Sequence, residues 1–159
     1  MRKLYIIEAT GNKSEGHNVL PAQEIYTDQA FVNCKNVLEE ESLPWLILSK
    51  MHGLIWPNSR IIPYNEELMS DSEVYQRLAR TLQNKQILAN TIIGLYALTK
   101  PKSLELDSWR LDVLKTTEFI LVGNEGSACL AMTEAALHNF KVTKKDFINF
   151  YSEGEKCLL

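Results

Sequence analysis

A short, uninterrupted apolar run at Trp45–Leu48 (WLIL) sets the strongest limit on the fold of this chain. A strand without polar alternation is typical of a central sheet position that is covered on both faces. Two more apolar strands are predicted, at Lys3–Glu8 and Glu118–Val122. Because helical stretches separate these strands, we predict one three-layer α/β domain over residues 1–159, with a mostly parallel central sheet of about four strands flanked by helices.

Composition narrows the class of protein. The apolar fraction of 45% and the charged fraction of 23% are ordinary for a soluble globular domain. The net charge of -3 argues against a general polyanion binder but leaves room for a local basic groove. No stretch approaches the roughly 18 apolar residues of a membrane span, and the N-terminal apolar run is too short for a signal peptide. We therefore predict a cytoplasmic protein without a membrane partner.

The cysteines indicate reduced thiols rather than a disulfide or metal framework. Cys34, Cys129 and Cys157 form no CxxC pair, and their number is odd. No Cys/His pair has the spacing of zinc ligands. We therefore predict neither a metal nor a cofactor.

The helical segments are less sharply defined than the strands. We predict a helix over Pro21–Glu41, with an earlier end possible because three glutamates at its C-terminus oppose the helix dipole. Asp71 is a good N-cap for a helix that runs to about Asn84. The stretch Ile87–Leu98 reads as a helix or as a broken strand, and we favour the helix. A further helix is predicted from Ser127 to about Phe140, and the tail Lys141–Leu159 could hold an edge strand or a final helix.

Polar loops follow each of the predicted strands. The sequence GNKSEGHN follows the first strand, Ser49, Lys50 and His52 follow the second, and GNEGS follows the strand Glu118–Val122. Open α/β sheets bind ligands beyond the carboxyl ends of their strands. We therefore predict a site that combines the Asn12 loop, the Ser49–His52 loop and the Asn124 loop.

The segment after the second strand reads as a long, ordered aromatic loop and offers the most reactive groups. His52 can act as a general acid or base near neutral pH, or it can cap the following turn. Ser49 is a weak candidate nucleophile, since its surroundings are not GxSxG. Lys50 could contact a phosphate or solvent. Trp56 and Tyr64 could stack on a planar base, or they could pin the loop to the body of the domain.

The other two loops offer groups for water or phosphate. Asn12, Lys13 and His17 in the first loop could position a water or a phosphate, or they could be a solvated surface. Asn124 and Ser127 lie where backbone amides at a helix start can bind an anion. The glycine spacing of GNEGS matches neither the Walker A nor the dinucleotide fingerprint.

The segment LILSKMHGLIWPNSRIIPYNEEL resembles an uncharacterised bacterial and phage domain family in which a strand is followed by LSAK(H/Y)GL, then a Pro and a PY turn. The resemblance covers about the first 68 residues. The family usually carries a Cys in the first loop, and this chain has none there. The matching residues are Lys13, Ala22, Tyr26, Phe31, Leu48, Ser49, His52, Gly53, Leu54, Pro57, Pro63 and Tyr64.

A broader resemblance links the first loop and the PAQEIY segment to the first motif of uracil-DNA-glycosylase-like proteins. It implies that Asn12 falls near the water-positioning site. The usual second motif, a His-Pro-Ser type loop after a late strand, is not present, and GNEGS stands in its place. The fold expected from this resemblance is uracil-DNA-glycosylase-like.

Together these resemblances suggest a DNA-glycosylase-type N-glycosidase that flips and excises a modified nucleobase, with phage DNA as the substrate and antiviral defence as the purpose. The alternatives are a hydrolase of free nucleosides or nucleotides, and a non-catalytic module that binds a nucleotide or a protein. In this hypothesis Asn12 and His17 orient water, and His52 donates a proton or a hydrogen bond to the departing base. Trp56 or Tyr64 stacks on the base. Lys13, Lys50 and Ser127 hold phosphates, and Ser49 and Asn124 contact the substrate.

Overall fold

The computed structural model describes residues 2–9, 13–64, 70, 72–73, 76, 79–80 and 112–150. The predicted strands at Lys3–Glu8, Trp45–Ser49 and Glu118–Val122 are all present. In chain order the elements are β1 (Arg2–Glu8), β2 (Leu20–Pro21), α1 (Ala22–Ile25), α2 (Gln29–Glu40), β3 (Trp45–Ser49), β4 (Gly53–Ile55), β5 (Arg60–Ile61), α3 (Asp112–Lys115), β6 (Thr117–Gly123), α4 (Ala128–Ala136) and β7 (Lys141–Asp146).

Among the described residues, the central sheet has five strands in the order β4-β3-β1-β6-β7. The strands β3, β1, β6 and β7 are parallel, and β4 returns antiparallel to β3. In the middle of the sheet Tyr5 lies opposite Trp45 on one side and Ile120 on the other. The prediction of an α/β fold with a mostly parallel sheet flanked by helices is therefore confirmed, with one strand more than expected.

Side chains of the central strands alternate between two apolar layers. We call these layers the α2 face and the α4 face, after the helices that cover them. Ile47 and Val122 point to the α2 face, whereas Leu48 and Leu121 point to the α4 face. The helical residues buried against the α2 face are Ala22, Ile25, Phe31, Cys34, Val37, Leu38, Phe147 and Phe150, and those buried against the α4 face are Leu114, Cys129 and Leu130.

The strand order predicts a crevice at the carboxyl edge of the sheet. The chain leaves β1 toward α1 and α2 on one face and leaves β6 toward α4 on the other. Since β1 and β6 are neighbours, their two exits diverge at this edge. Ligands of open α/β sheets bind at such topological switch points.

The prediction of a single helix over Pro21–Glu41 is wrong. Tyr26 ends α1 in an extended conformation, with φ -87° and ψ 114°, and pairs with Lys13 through a β-bridge. Asp28 is also extended and precedes α2. The acidic C-terminus does not shorten α2, which runs to Glu40 because Val37 and Leu38 are buried in the core.

The segment predicted as a long aromatic loop contains two short strands. Gly53–Ile55 forms β4 at the edge of the sheet, and Arg60–Ile61 forms β5, which pairs antiparallel with β2. These strands were missed because two or three residues are too few to show a periodicity.

One other boundary differs from the sequence predictions. The helix predicted to reach Phe140 ends at Ala136, and the tail contains both predicted alternatives, since β7 is followed by helical residues 147–150. The predicted N-cap at Asp71 lies outside the described residues, and next to it Ser70 Oγ accepts a hydrogen bond from the Glu73 N–H at 3.2 Å. The predictions for Ile87–Leu98 lie outside the described residues. Within the described ranges, no helix has the length and apolar character that crossing a bilayer requires.

Candidate functional site

A tight turn at the carboxyl end of β3 positions the first part of the site. Ser49 is 1% exposed, and its Oγ accepts a hydrogen bond from the backbone N–H of His52 at 3.2 Å. Gly53 closes the turn with φ +75°, a conformation that costs glycine little, and pairs with Ser49 to begin β4. The serine and glycine of the SKMHG sequence therefore have a structural reason for their spacing.

Three hydroxyl groups form a chain behind this turn. The Tyr64 hydroxyl lies 2.8 Å from Ser49 Oγ and 2.7 Å from the Tyr26 hydroxyl. Tyr26 is 1% exposed, so the chain extends into the apolar layer of the α2 face. We call Tyr26, Ser49 and Tyr64 the hydroxyl cluster. Hydroxyls that bond to one another in such a chain fix the orientation of the two tyrosine rings.

The first loop carries a cation to the hydroxyl cluster. Lys13 Nζ lies 5.0 Å from the centroid of the Tyr64 ring and 6.0 Å from that of Tyr26. The loop is held there by the bridge between Lys13 and Tyr26 and by a 2.7 Å hydrogen bond from the Ser14 N–H to the Ile25 carbonyl. An ammonium group within about 6 Å of a tyrosine ring gains cation–π stabilisation.

An imidazole lies against the same tyrosine. The His52 and Tyr64 ring centroids are 5.4 Å apart with an interplanar angle of 87°, which is an edge-on contact. His52 is exposed and Lys13 is half-buried. Both groups that can carry positive charge therefore meet at one anchored ring, with the imidazole open to solvent. Such a pair can bind an anion and exchange a proton with it.

A second polar group occupies the same edge of the sheet but the opposite face. Glu8, at the end of β1, is 4% exposed, and its carboxylate accepts hydrogen bonds from Ser127 Oγ at 2.6 Å and from the Asn124 N–H at 3.2 Å. Ser127 Oγ also accepts a bond from the Leu130 N–H at 3.3 Å and so caps α4. We call Glu8, Gly123, Asn124 and Ser127 the carboxylate cluster.

Close packing explains the glycine at the end of β6. A Cβ atom on Gly123 would collide with the Glu8 side chain and with Leu130 Cδ1. Next to this contact lies a cavity of about 690 Å³, which is lined by the Gly123–Ser127 loop, the start of α4 and residues 143–146. Its charged lining is mixed, with Glu125 and Asp146 beside Lys144 and Lys145.

The structure brings together four of the residues singled out from the sequence. Lys13, Ser49, His52 and Tyr64 meet around the hydroxyl cluster. Asn124 and Ser127 lie on the other face, and Trp56 is half-buried against the α4-face core. Of the remaining candidates, Lys50 is half-buried in the turn and His17 is exposed in the first loop. Asn12 lies outside the described residues.

Sequence reasoning missed Tyr26 and Glu8 as site residues. Tyr26 was read as part of a helix, and Glu8 as the polar end of a strand. The available signal for Glu8 was its place as a carboxylate at the carboxyl end of an apolar strand, where a buried acid needs partners.

The described thiols and acids do not form a metal site. No group of three His, Cys, Asp or Glu side chains within the described ranges could hold a metal ion. Cys34 and Cys129 are buried, and burial raises the pKa of the Cys34 thiol to about 12. Cys34 therefore stays a neutral thiol at physiological pH and has little nucleophilic character.

Comparisons with known proteins give a family but no function. No curated protein and no solved structure matches the chain, so the resemblance to uracil-DNA-glycosylase-like proteins gains no support from them. The model of a family of unknown function, DUF6884, matches residues 4–99. The match extends from β1 through the hydroxyl cluster and covers more than half of the 159 residues. The chain belongs to this family of unknown function, DUF6884.

Proposed function

We propose that this protein is an N-glycosidase that releases a nucleobase from DNA, and that the reaction takes place beside the hydroxyl cluster. One observation carries the proposal. Lys13 and His52 both lie against the ring of Tyr64, whose hydroxyl is held by Ser49 and Tyr26. The groups lie at the carboxyl edge of the sheet, where α/β enzymes place their substrates.

His52 supplies the acid. Cleavage of an N-glycosidic bond passes through an oxocarbenium-like state, and the departing base must take a proton or a strong hydrogen bond. Imidazole changes protonation near neutral pH, and the His52 ring is open to solvent for a substrate to reach. The hydrogen bond from its backbone N–H to Ser49 fixes the position of the turn that carries it.

Lys13 supplies the fixed charge. Its ammonium, held over Tyr64, is placed to pair with a phosphate of the substrate or with negative charge on the departing base. Asn12, the preceding residue, orients the water, with His17 as its partner in the same loop. The water oxygen bonds to C1′ and its proton passes to solvent, while the electron pair of the broken bond stays on the base, which His52 protonates.

The geometry supports a holding role for Tyr64 rather than base stacking. Its hydroxyl points into the hydroxyl cluster, and Lys13 and His52 already occupy the surroundings of its ring. Trp56 packs against the core of the α4 face. In this proposal Tyr64 fixes the spacing between the cation and the imidazole.

A second candidate is hydrolysis of the same bond in a free nucleotide. The net charge of -3 favours it, because a small substrate needs no extended basic groove. The same groups would act in the same roles. The two candidates differ in the preferred substrate, which is DNA for the first and a free nucleotide for the second.

Base release from DNA tests the proposal. The substrates are ordinary, uracil-containing and hypermodified phage DNA, and free nucleotides. Each is incubated with wild type, His52→Gln and Asn12→Ala. Free base and abasic sites are then measured. The resemblance to a phage-associated family makes hypermodified DNA the first class expected to react, in a defence role. We expect His52→Gln to lower kcat about 100-fold or more, because it removes the general acid.

The chain offers a matched control for this experiment. His138 is exposed after α4, and its Nδ1 lies 2.8 Å from the Ala135 carbonyl, away from the hydroxyl cluster. His138→Gln should leave base release unchanged. Release of no base from any DNA or nucleotide by the wild type would sink the proposal.

A further inference from the structure

A cavity on the α4 face lies outside the proposed reaction site. Its volume is about 690 Å³, within the roughly 300–1,000 Å³ of small-molecule sites. One wall is the Gly123–Ser127 loop, and another is the end of β7. These walls adjoin because β6 and β7 are parallel neighbours, with Gly123 opposite Asp146. The cavity therefore lies at the carboxyl edge of the sheet, where α/β proteins bind ligands.

Hydrogen bonds hold both walls in place. Glu8 accepts bonds from the Asn124 N–H and from Ser127 Oγ, which fixes the loop to the end of β1. At the end of β7, the Asp146 carboxylate accepts bonds from the Asn149 N–H at 2.7 Å and from Asn149 Nδ2 at 3.2 Å. A site whose walls are already ordered loses little conformational entropy when it binds a ligand.

Two consecutive lysines, Lys144 and Lys145, bring positive charge to the cavity. Lys144 pairs with Glu134 at 3.5 Å, but both side chains are about half exposed, so the pair is weak and leaves the ammonium able to contact a ligand. In the loop wall, the N–H groups of Glu125 and Gly126 donate no hydrogen bond within the part of the chain that the structure describes. Lysine ammonium groups and backbone amides are groups that bind phosphate oxygens.

The rest of the lining suits a nucleoside rather than a bare anion. Glu125 is exposed in the loop wall, and its carboxylate can accept hydrogen bonds from ribose hydroxyls. Leu130 and Ala131 of α4 supply an apolar surface for a planar base. Asn124 and Asn149 carry amides that can donate to and accept from the edge of a base. Each chemical part of a nucleotide therefore has a matching group in the lining.

We propose that this cavity binds a nucleoside monophosphate, with its phosphate at the two lysines and its base against α4. A phosphate monoester carries a charge of about -1.5 to -2 near pH 7, which two ammonium groups balance. The site is separate from the hydroxyl cluster, which lies on the opposite face of the sheet. Nucleotide binding here does not depend on the proposed reaction, since Lys13, His52 and Tyr64 do not line the cavity.

Isothermal titration calorimetry of the whole chain with AMP, GMP, CMP and UMP tests the site. Orthophosphate and the matching nucleosides are titrated as the separate parts of the ligand. We expect wild type to bind at least one mononucleotide more tightly than either part. The double variant Lys144→Gln/Lys145→Gln should weaken this binding about tenfold or more, because it removes both charged contacts. Ala131→Trp, which changes an exposed residue of the α4 wall, should also weaken it by filling the cavity.

The opposite end of the sheet offers a matched control. Lys115, before β6, and Lys141, at the start of β7, are exposed and do not line the cavity. Lys141 pairs with Glu118 at 3.7 Å, much as Lys144 pairs with Glu134. The double variant Lys115→Gln/Lys141→Gln removes the same charge and should leave nucleotide binding unchanged.

Contrary outcomes separate this site from the proposed reaction. No binding of any mononucleotide by wild type would overturn the proposal, as would equal binding by wild type and Lys144→Gln/Lys145→Gln. Orthophosphate that binds as tightly as the mononucleotides would also overturn it, because the nucleoside would then contribute nothing. Binding that falls in His52→Gln but not in the Lys144→Gln/Lys145→Gln variant would place the nucleotide at the hydroxyl cluster instead. Mononucleotide binding that depends on the two lysines, without base release from any DNA or nucleotide, would remove the proposed reaction and keep this site.

Discussion

The hydroxyl cluster and the carboxylate cluster lie on opposite faces of the same sheet edge. They differ in what their polar side chains contact. In the hydroxyl cluster, buried groups hold one tyrosine, and the exposed His52 and half-buried Lys13 lie against its ring. In the carboxylate cluster, the one buried acid accepts hydrogen bonds from the loop after β6 and from Ser127 at the start of α4. The first arrangement gathers a cation and an imidazole at one ring, whereas the second ties the end of β1 to the loop between β6 and α4.

This difference shows why position at a strand end is not enough to assign chemistry. Ser49, Glu8 and Gly123 all end parallel strands at the same edge. Burial of Glu8 at 4% exposure and its bonds to the Asn124 N–H and Ser127 favour a structural role. The proposed reaction therefore belongs to the α2 face, and the hydrogen bonds of Glu8 anchor the loop after β6 on the α4 face.

The largest expected effect on stability comes from Gly123→Ala in the carboxylate cluster. The new Cβ would overlap Glu8 and Leu130, so the free energy of unfolding should fall by about 3 kcal/mol, as for other overpacked sites. Denaturant unfolding measures it. Gly126→Ala is the control: nothing lies within 4 Å of its Cβ position, and its φ of +81° should cost only about 1 kcal/mol. Equal losses in the two variants would contradict the close contact with Glu8.

A smaller effect is expected from Tyr64→Phe in the hydroxyl cluster. The change keeps the ring that Lys13 and His52 contact but removes the hydroxyl that bonds to both Ser49 and Tyr26. Loss of these two part-buried hydrogen bonds should lower the free energy of unfolding by about 2 kcal/mol. Base release should also fall, because the ring loses its anchor. Unchanged stability would show that the hydroxyl chain does not hold the ring.

The sequence was a good guide to the sheet and a poor guide to the connections. Trp45–Ser49 and Glu118–Val122 were recognised as strands because continuous apolar runs have few other solutions in a soluble domain. The break between α1 and α2 was missed, because the bridge between Tyr26 and Lys13 is a tertiary contact between distant residues. The secondary-structure propensity of a local segment carries no information about such contacts.

The candidate site was predicted in part for the same reason. Ser49, His52 and Tyr64 fall in one segment, and the turn chemistry of serine and glycine is visible in the sequence. Their partner Tyr26 comes from a separate segment, and the pairing depends on how α1 packs on the sheet. Trp56 and Tyr64 looked equivalent as aromatic loop residues. In the structure Trp56 packs on the α4 face and Tyr64 packs on the α2 face.

The measurement that tests this account most directly compares Glu8→Gln with His52→Gln in two assays, base release per folded molecule and free energy of unfolding. Glu8→Gln places an amide donor against the Asn124 N–H or the Ser127 hydroxyl and should cost about 2 kcal/mol of stability with base release retained. His52→Gln changes an exposed side chain and should alter stability by less than about 0.5 kcal/mol while base release is lost. Loss of base release in Glu8→Gln with full activity in His52→Gln would contradict the account and move the reaction to the α4 face.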